Sequence, residues 1–192
     1  MTKTATTDHP IVSHIAERWS PRAFDARPIA EDDLMSLFEA ARWAASAFNA
    51  QPWRFVYAHR GDPDFDTLVA CLIEYNASWA QHAAVLLIAS AKTDHADGKP
   101  NGHAAHDLGQ AMAMLSVEAT ARGIHVHQMA GFDPDKSREL LGIPEGFTPT
   151  TAAALGYLGD PASLNERLRQ REEAPRERIP IAAFAFKGRW PG

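Results

Sequence analysis

In Leu34-Met35-Ser36-Leu37-Phe38-Glu39-Ala40-Ala41-Arg42, followed by Trp43-Ala44-Ala45-Ser46-Ala47-Phe48-Asn49-Ala50-Gln51-Pro52 and then Trp53-Arg54-Phe55-Val56-Tyr57, a helix ends, a polar loop follows and an aromatic strand begins. The helix is read from the i, i+3, i+4, i+7 stripe of Leu34, Leu37, Phe38 and Ala41. Acidic Glu31, Asp32 and Asp33 fall in its first turn, where the helix dipole favours them. It stops near Ala45. In the loop Ser46, Asn49 and Gln51 supply hydroxyl and amide groups at close spacing, and Pro52 prevents helical continuation. Trp53, Phe55 and Tyr57 then alternate with Arg54 and Val56, the period of a strand. From local chemistry alone this is a turn between two elements, with binding groups available in it.

Outward from that stretch the chain shows no repeat and no low-complexity tract. Asp8 is placed to cap a first helix whose Ile11, Val12 and Ile15 face inward, delivering Arg18, Ser20 and Arg22 at its exit. Arginine forks suit phosphates and polarised carbonyls, although ordinary surface arginines would read the same way. Residues 62–82 read as helical, with Leu68, Leu72 and Tyr75 on one side and Trp79 beyond. The apolar run Ala83 to Ala89 suits a strand covered on both faces, in the middle of a sheet. From Ala104 to Arg122 the chain predicts a helix apolar nearly all round, with Leu108, Ala111, Met112 and Leu115 on one face and Met114 and Val117 on another. Such a helix is central and suits a dimer interface; Gly123 ends it.

Gln128-Met129-Ala130-Gly131 is a strand exit whose glycine lets backbone N–H groups approach a planar ligand, and Asp133-Pro134 opens another helix. Thr150 to Leu158 reads as a second buried strand. Charges dominate Leu164 to Arg178, the pattern of a solvated helix and an exposed arm, and Ile179 to Phe186 reads as extended, ahead of Lys187 and Arg189.

Composition narrows the function classes. A chain of 192 residues, 45% hydrophobic, can bury a sizeable core as one domain, residues 1–192. A net charge of -5 argues against a nucleic-acid surface. One cysteine, Cys71, allows neither an internal disulfide nor a CxxC site. There is no signal-peptide core and no apolar run of spanning length, so a cytoplasmic protein without membrane segments is expected. His103 with His106, and His125 with His127, have spacings that let two imidazoles converge, but no cysteine or carboxylate cluster completes a four-ligand set; no metal is expected. No nucleophile elbow, P-loop or GxGxxG fingerprint is present.

Glu39-Ala40-Ala41-Arg42 with Ser46, Asn49 and Gln51-Pro52-Trp53 resembles the second signature of the FMN-dependent nitroreductase family, and Arg18-Trp19-Ser20-Pro21-Arg22-Ala23-Phe24 resembles the first. His106-Asp107-Leu108-Gly109, Gly123-Ile124, Gly131-Phe132-Asp133, Leu141-Gly142-Ile143-Pro144-Glu145 and Lys187-Gly188-Arg189 follow in the family's order, so the resemblance covers about residues 11–190. It implies an α+β fold, a mixed or antiparallel sheet flanked by helices, in an intertwined homodimer whose arm from about residue 175 packs on the partner. It implies FMN as cofactor and NAD(P)H as electron donor, hydride passing through flavin N5 to nitroaromatics, quinones or similar electrophiles.

By the same resemblance Arg18, Lys187 and Arg189 serve the FMN phosphate, and Ser20 the phosphate or ribityl. Arg22 stabilises the reduced ring; Ser46, Asn49 and Gln51 meet the ribityl or ring edge, and Gln128, Met129, Ala130 and Gly131 the N5 and O4 side. Tyr75 or Trp79 is placed near the site's opening, where a substrate contact and a core or dimer role are both open. Trp19 and Ala47 are cofactor-binding positions by the same resemblance, although the family often has a basic or small polar residue at the first and a polar group at the second. Other reactions of the family, reductive dehalogenation, flavin cleavage and azoline oxidation, are alternatives. So are a flavin- or small-ligand-binding protein without turnover and a histidine-based metal hydrolase.

Overall fold

A computed structural model describes residues 3–95 and 97–191. Its frame is a four-stranded antiparallel sheet in the order β1-β2-β4-β3, from β1 (Trp53–His59), β2 (Val85–Lys92), β3 (His125–Met129) and β4 (Phe147–Gly156). The inner position of β2 follows from its composition. Val85, Leu87 and Ala89 face one core, Leu86 and Ile88 the other, and all five are at most 2% exposed. At about 25 cal/mol per Å² of apolar area, such two-sided burial is what holds a strand in the middle of a sheet.

On the first face lie α2 (Glu31–Arg42) and α5 (Ala104–Ala121), packed on each other through Leu34, Leu37, Leu108, Met112 and Leu115. Phe38 stacks on Phe55 of β1 at 5.3 Å, joining helix and strand on either side of the polar loop. α5 closes with Gly123 at φ +70°, where Ile124 N–H donates to the Ala119 carbonyl at 2.8 Å. The second face is covered by α3 (Phe65–Ala70), α4 (Glu74–Ala80) and α6 (Pro134–Leu141), which Asp133 caps by accepting from Lys136 N–H at 2.9 Å. α7 (Glu166–Glu173) follows β4. Among the described residues no helix is long and apolar enough to cross a membrane.

Six expectations are corrected. α1 is short, Ser13–Glu17, and begins at Val12 without a side-chain cap, so Asp8 does not cap it. Ile11, Val12 and Ile15 are not inward but 48%, 62% and 48% exposed. The helical region 62–82 is two helices, because Leu72 bridges to Phe132 between them. α5 is not enclosed: Ala105, Gly109, Ala113 and Met114 form an outward strip, and a Cβ at Gly109 would meet nothing within 4 Å. The charged segment 164–178 is not simply solvated, since Leu168 and Glu172 are buried, and residues 179–186 are not extended throughout but contain a 3-10 turn, Ile181–Ala183.

Candidate functional site

The polar loop is strained. Phe48, Asn49 and Gln51 hold φ of +53°, +53° and +46°. Asparagine tolerates the left-handed region by bonding its own backbone, but for Phe and Gln each such residue costs about 1 kcal/mol or more. The conformation persists because it is over-determined. Ser46 Oγ accepts from Gln51 N–H at 3.1 Å, and Gln51 Nε2 donates to the Asn49 carbonyl at 3.1 Å. Asp107, 1% exposed in the first turn of α5, accepts from Ala47 N–H at 3.0 Å. Phe48 is left 97% exposed. Strain kept in place by a buried carboxylate, with an aromatic ring held out into solvent, marks a segment built to meet something.

Residues 18–24 form the second candidate segment, running past edge strand β3. The Trp19 ring lies 6.0 Å from that of His125; His127 Nδ1–H donates to the Pro21 carbonyl at 2.8 Å, and its ring packs 4.5 Å from Trp79. Burial pushes both histidines down to about 4, with the Arg18 charge adding to the shift of His125 and the Arg22 charge to that of His127. They are therefore neutral imidazoles at neutral pH. Among the described residues no group of three or more His, Cys, Asp or Glu side chains could hold a metal ion.

Two residues 150 positions away fix this segment. Glu172 accepts the backbone N–H of Arg22 at 2.9 and 3.0 Å and of Ala23 at 3.1 Å. Arg176 donates to the carbonyls of Lys3 and Ala16 at 2.6 Å and of Arg18 at 2.8 Å. Arg22 itself points its guanidinium toward Glu172, at 3.8 Å, and over the Trp79 ring, at 5.9 Å.

Beside Arg18 opens a groove of about 430 Å³, lined by Arg176, Arg178, Ile11, Ile15, Ile179 and, as its acidic member, Asp8. Burial, and then the Arg178 charge, lower the Arg18 pKa, so the cluster disfavours its own positive charge. Among the described residues none of the three arginines is in an ion pair, and Arg18 makes one long bond, 3.5 Å, to Ser20 Oγ. The expected companions of Arg18 do not line this groove: Lys187 and Arg189 lie exposed beyond it. Arg176 and Arg178 line it beside Arg18. The signal available was the Arg-x-Arg spacing ahead of Ile179-Pro180, which reads as ordinary surface charge without the fold.

At the end of β3, Gln128 is exposed and Met129 buried, with Ala130 exposed. Gly131 also answers a packing need that the sequence did not show. Its carbonyl accepts from Ile73 N–H at 3.2 Å and from Asn76 Nδ2 at 2.9 Å, and a Cβ there would fall 2.5 Å from that amide and 2.6 Å from Ile73. The missing side chain admits α4. Asn76, which sequence reading passed over, is 8% exposed and ties α4 to this exit. Trp79, 1% exposed, is a core residue, and the Tyr75 hydroxyl accepts from Arg171 at 3.0 Å.

The two segments do not meet within one chain. The loop is anchored at the first turn of α5, whereas Trp19 packs where the chain leaves the other end of that helix. At 1.5 Å per residue, the 18 residues of α5 separate those ends by about 27 Å.

Comparison with known proteins gives consistent findings. The model of the nitroreductase family matches residues 15–71 and 69–157. A Mycolicibacterium smegmatis protein described as an uncharacterised 15.4 kDa protein is 39% identical over 145 residues, covering 71% of this chain and 97% of its own, and a putative NADH dehydrogenase/NAD(P)H nitroreductase of Xanthomonas oryzae pv. oryzae is 29% identical over 164, covering 76% and 83%. A crystal structure of an oxidoreductase containing FMN superposes with a TM-score of 0.93 at 39% identity, over 98% of this chain and 96% of the other.

Proposed function

This chain belongs to the nitroreductase family, and on that premise we propose that it is an FMN-dependent oxidoreductase, acting as a homodimer of single-domain subunits, that takes electrons from NAD(P)H. Its acceptors are nitroaromatics, quinones or similar electrophiles. One observation carries the reading: two candidate half-sites stand at opposite ends of α5, and between them runs an outward strip of Ala105, Gly109 and Ala113. Small residues four apart share one helix face and allow close backbone approach. A two-fold axis through that strip lays one α5 antiparallel on its copy, so each polar loop comes to the partner's 18–24 segment, twice. The exposed Ile11, Ile15, Met114 and Phe184 would be covered by the same assembly, with the arm beyond about residue 175 lying on the partner.

The residues fit the cofactor. Two guanidiniums without an ion-pair partner among the described residues, Arg18 and Arg178, beside apolar walls suit a phosphate monoester on an apolar ligand, and Arg176 holds the Arg18 backbone in place. Ser20 adds a hydroxyl at the phosphate or ribityl. Ser46, Asn49 and Gln51 of the partner subunit, fixed in their strained turn, would meet the ribityl hydroxyls or ring edge. Arg22 would hold the ring edge on which reduction leaves negative charge, and the backbone at Gln128 to Gly131 would meet its N5 side. When bound, FMN supplies two-electron hydride chemistry that no side chain offers. His125 and His127, neutral and buried, are poor proton donors at neutral pH, so solvent supplies the protons. The FMN in the 39%-identical structure and the name of the Xanthomonas relative support cofactor and donor.

Anaerobic mixing of yellow holoprotein with NADH, and separately with NADPH, tests the reading. Bleaching of the visible flavin band by either is expected; a band that survives both would make this a flavin-binding protein without turnover.

A further inference from the structure

Of the acidic side chains on α7, Glu166 and Glu173 are exposed, whereas Glu172 is 2% exposed. A buried carboxylate is costly unless its lone pairs are filled, and three N–H bonds from Arg22 and Ala23 fill much of this one. Those bonds do not require a charge. A glutamine carbonyl in the place of Oε1 could accept from both N–H groups, since Oε1 alone already lies 2.9 and 3.1 Å from them. What the negative charge adds is electrostatic. Oε2 stands 3.8 Å from the Arg22 guanidinium, whose Nε is buried without a hydrogen-bond partner among the described residues; Lys3, whose ammonium donates to the Glu172 and Ala174 carbonyls, also feels the Glu172 charge, but Arg22 is the cation that the carboxylate faces directly. In a water-poor setting a charge at that distance offsets much of what Arg22 can offer on its far side.

We propose that Glu172 is a positioning residue that sets the reducing power of the bound flavin: it clamps the Arg22 backbone and partly neutralises the Arg22 guanidinium, so that reduced FMN is held less tightly than Arg22 alone would hold it. This rests on the reading that FMN lies against Arg22. The consequence is a stronger reductant, suited to passing electrons on to electrophiles rather than storing them.

The two roles separate in one measurement. In Glu172→Gln holoprotein the ratio of the dissociation constants of oxidised and reduced FMN should rise about tenfold, which moves the two-electron midpoint potential about 30 mV in the positive direction. A clamp without an electrostatic role would weaken both states alike and leave the potential where it was; an unmoved or more negative potential in flavin-loaded Glu172→Gln overturns the inference. Glu173→Gln, which removes an exposed charge from the same turn, should leave the potential unmoved, and an equal shift there would show that local pairing with Arg22 is not the cause. If the glutamine variant fails to fold, Glu172→Asp withdraws the charge by one methylene and should move the potential in the same positive direction, with an unmoved value again decisive against it. Wild-type protein that takes up no FMN would instead overturn the flavin reading itself.

Discussion

The loop at residues 46–52 and the segment at residues 18–24 are both candidate binding surfaces, yet they are held by opposite means. The loop is fixed mainly from within: Ser46 bonds Gln51, Gln51 bonds Asn49, and a single distant residue, Asp107, locks Ala47. The 18–24 segment makes almost no bonds to itself and is fixed from outside, by Glu172, Arg176 and His127. A self-contained turn can be presented to another chain without distortion. A segment braced by its own core can hold charges that repel one another, as Arg18 and Arg178 do. The division suits a site in which one subunit supplies a rigid polar edge and the other a cationic cradle.

The largest test separates the two regions without touching either. Gly109→Arg adds a side chain where nothing lies within 4 Å in the chain, so the subunit should fold as before, while self-association is blocked. Sedimentation should change from dimer to monomer, and FMN retention should fall at least about tenfold, as mass action requires of a ligand bound only by the dimer. A dimer with its full flavin complement would sink the two-chain site.

The next test strikes the cradle. Arg178→Ala removes one charge-assisted contact to the phosphate, about 1.5 to 3 kcal/mol, and should weaken FMN binding by about ten- to a hundredfold in a fluorescence titration. Arg189→Ala, outside the groove, should change it less than about threefold by the same scale; the reverse order would restore the terminal cations to the phosphate.

A third test strikes the loop. Asp107→Ala strands the Ala47 N–H and should cost about 2 kcal/mol in urea denaturation, with faster proteolytic cleavage inside residues 46–52. Equal cleavage rates would show that the loop needs no outside anchor. The smallest effect concerns strain alone. Phe48 is 97% exposed and has the His95 ring 6.4 Å away, so Phe48→Gly in the monomeric Gly109→Arg background should raise stability by about 1 kcal/mol, read from the melting temperature. A loss there would mean that the ring is packed within its own chain.

Sequence determined what depends on neighbours along the chain. The stripe of Leu34, Leu37 and Ala41, the two-sided run at Val85 to Ala89, the Asp133-Pro134 cap and the Gly123 stop each follow from side-chain periodicity or backbone allowance over a few residues, and the structure has all of them. Two ordered signatures also named the family. Tertiary structure alone decided that Glu172 is buried while Glu173 is not, that Arg176 and Arg178 join Arg18, and that Gly131 answers to Asn76. Those choices turn on which face of α7 meets a segment 150 residues earlier, and on which carbonyls are left unpaired for Arg176 to reach. A charged residue in a charged run carries no local mark of that, because burial of an ionised group is favourable only when distant partners supply its hydrogen bonds.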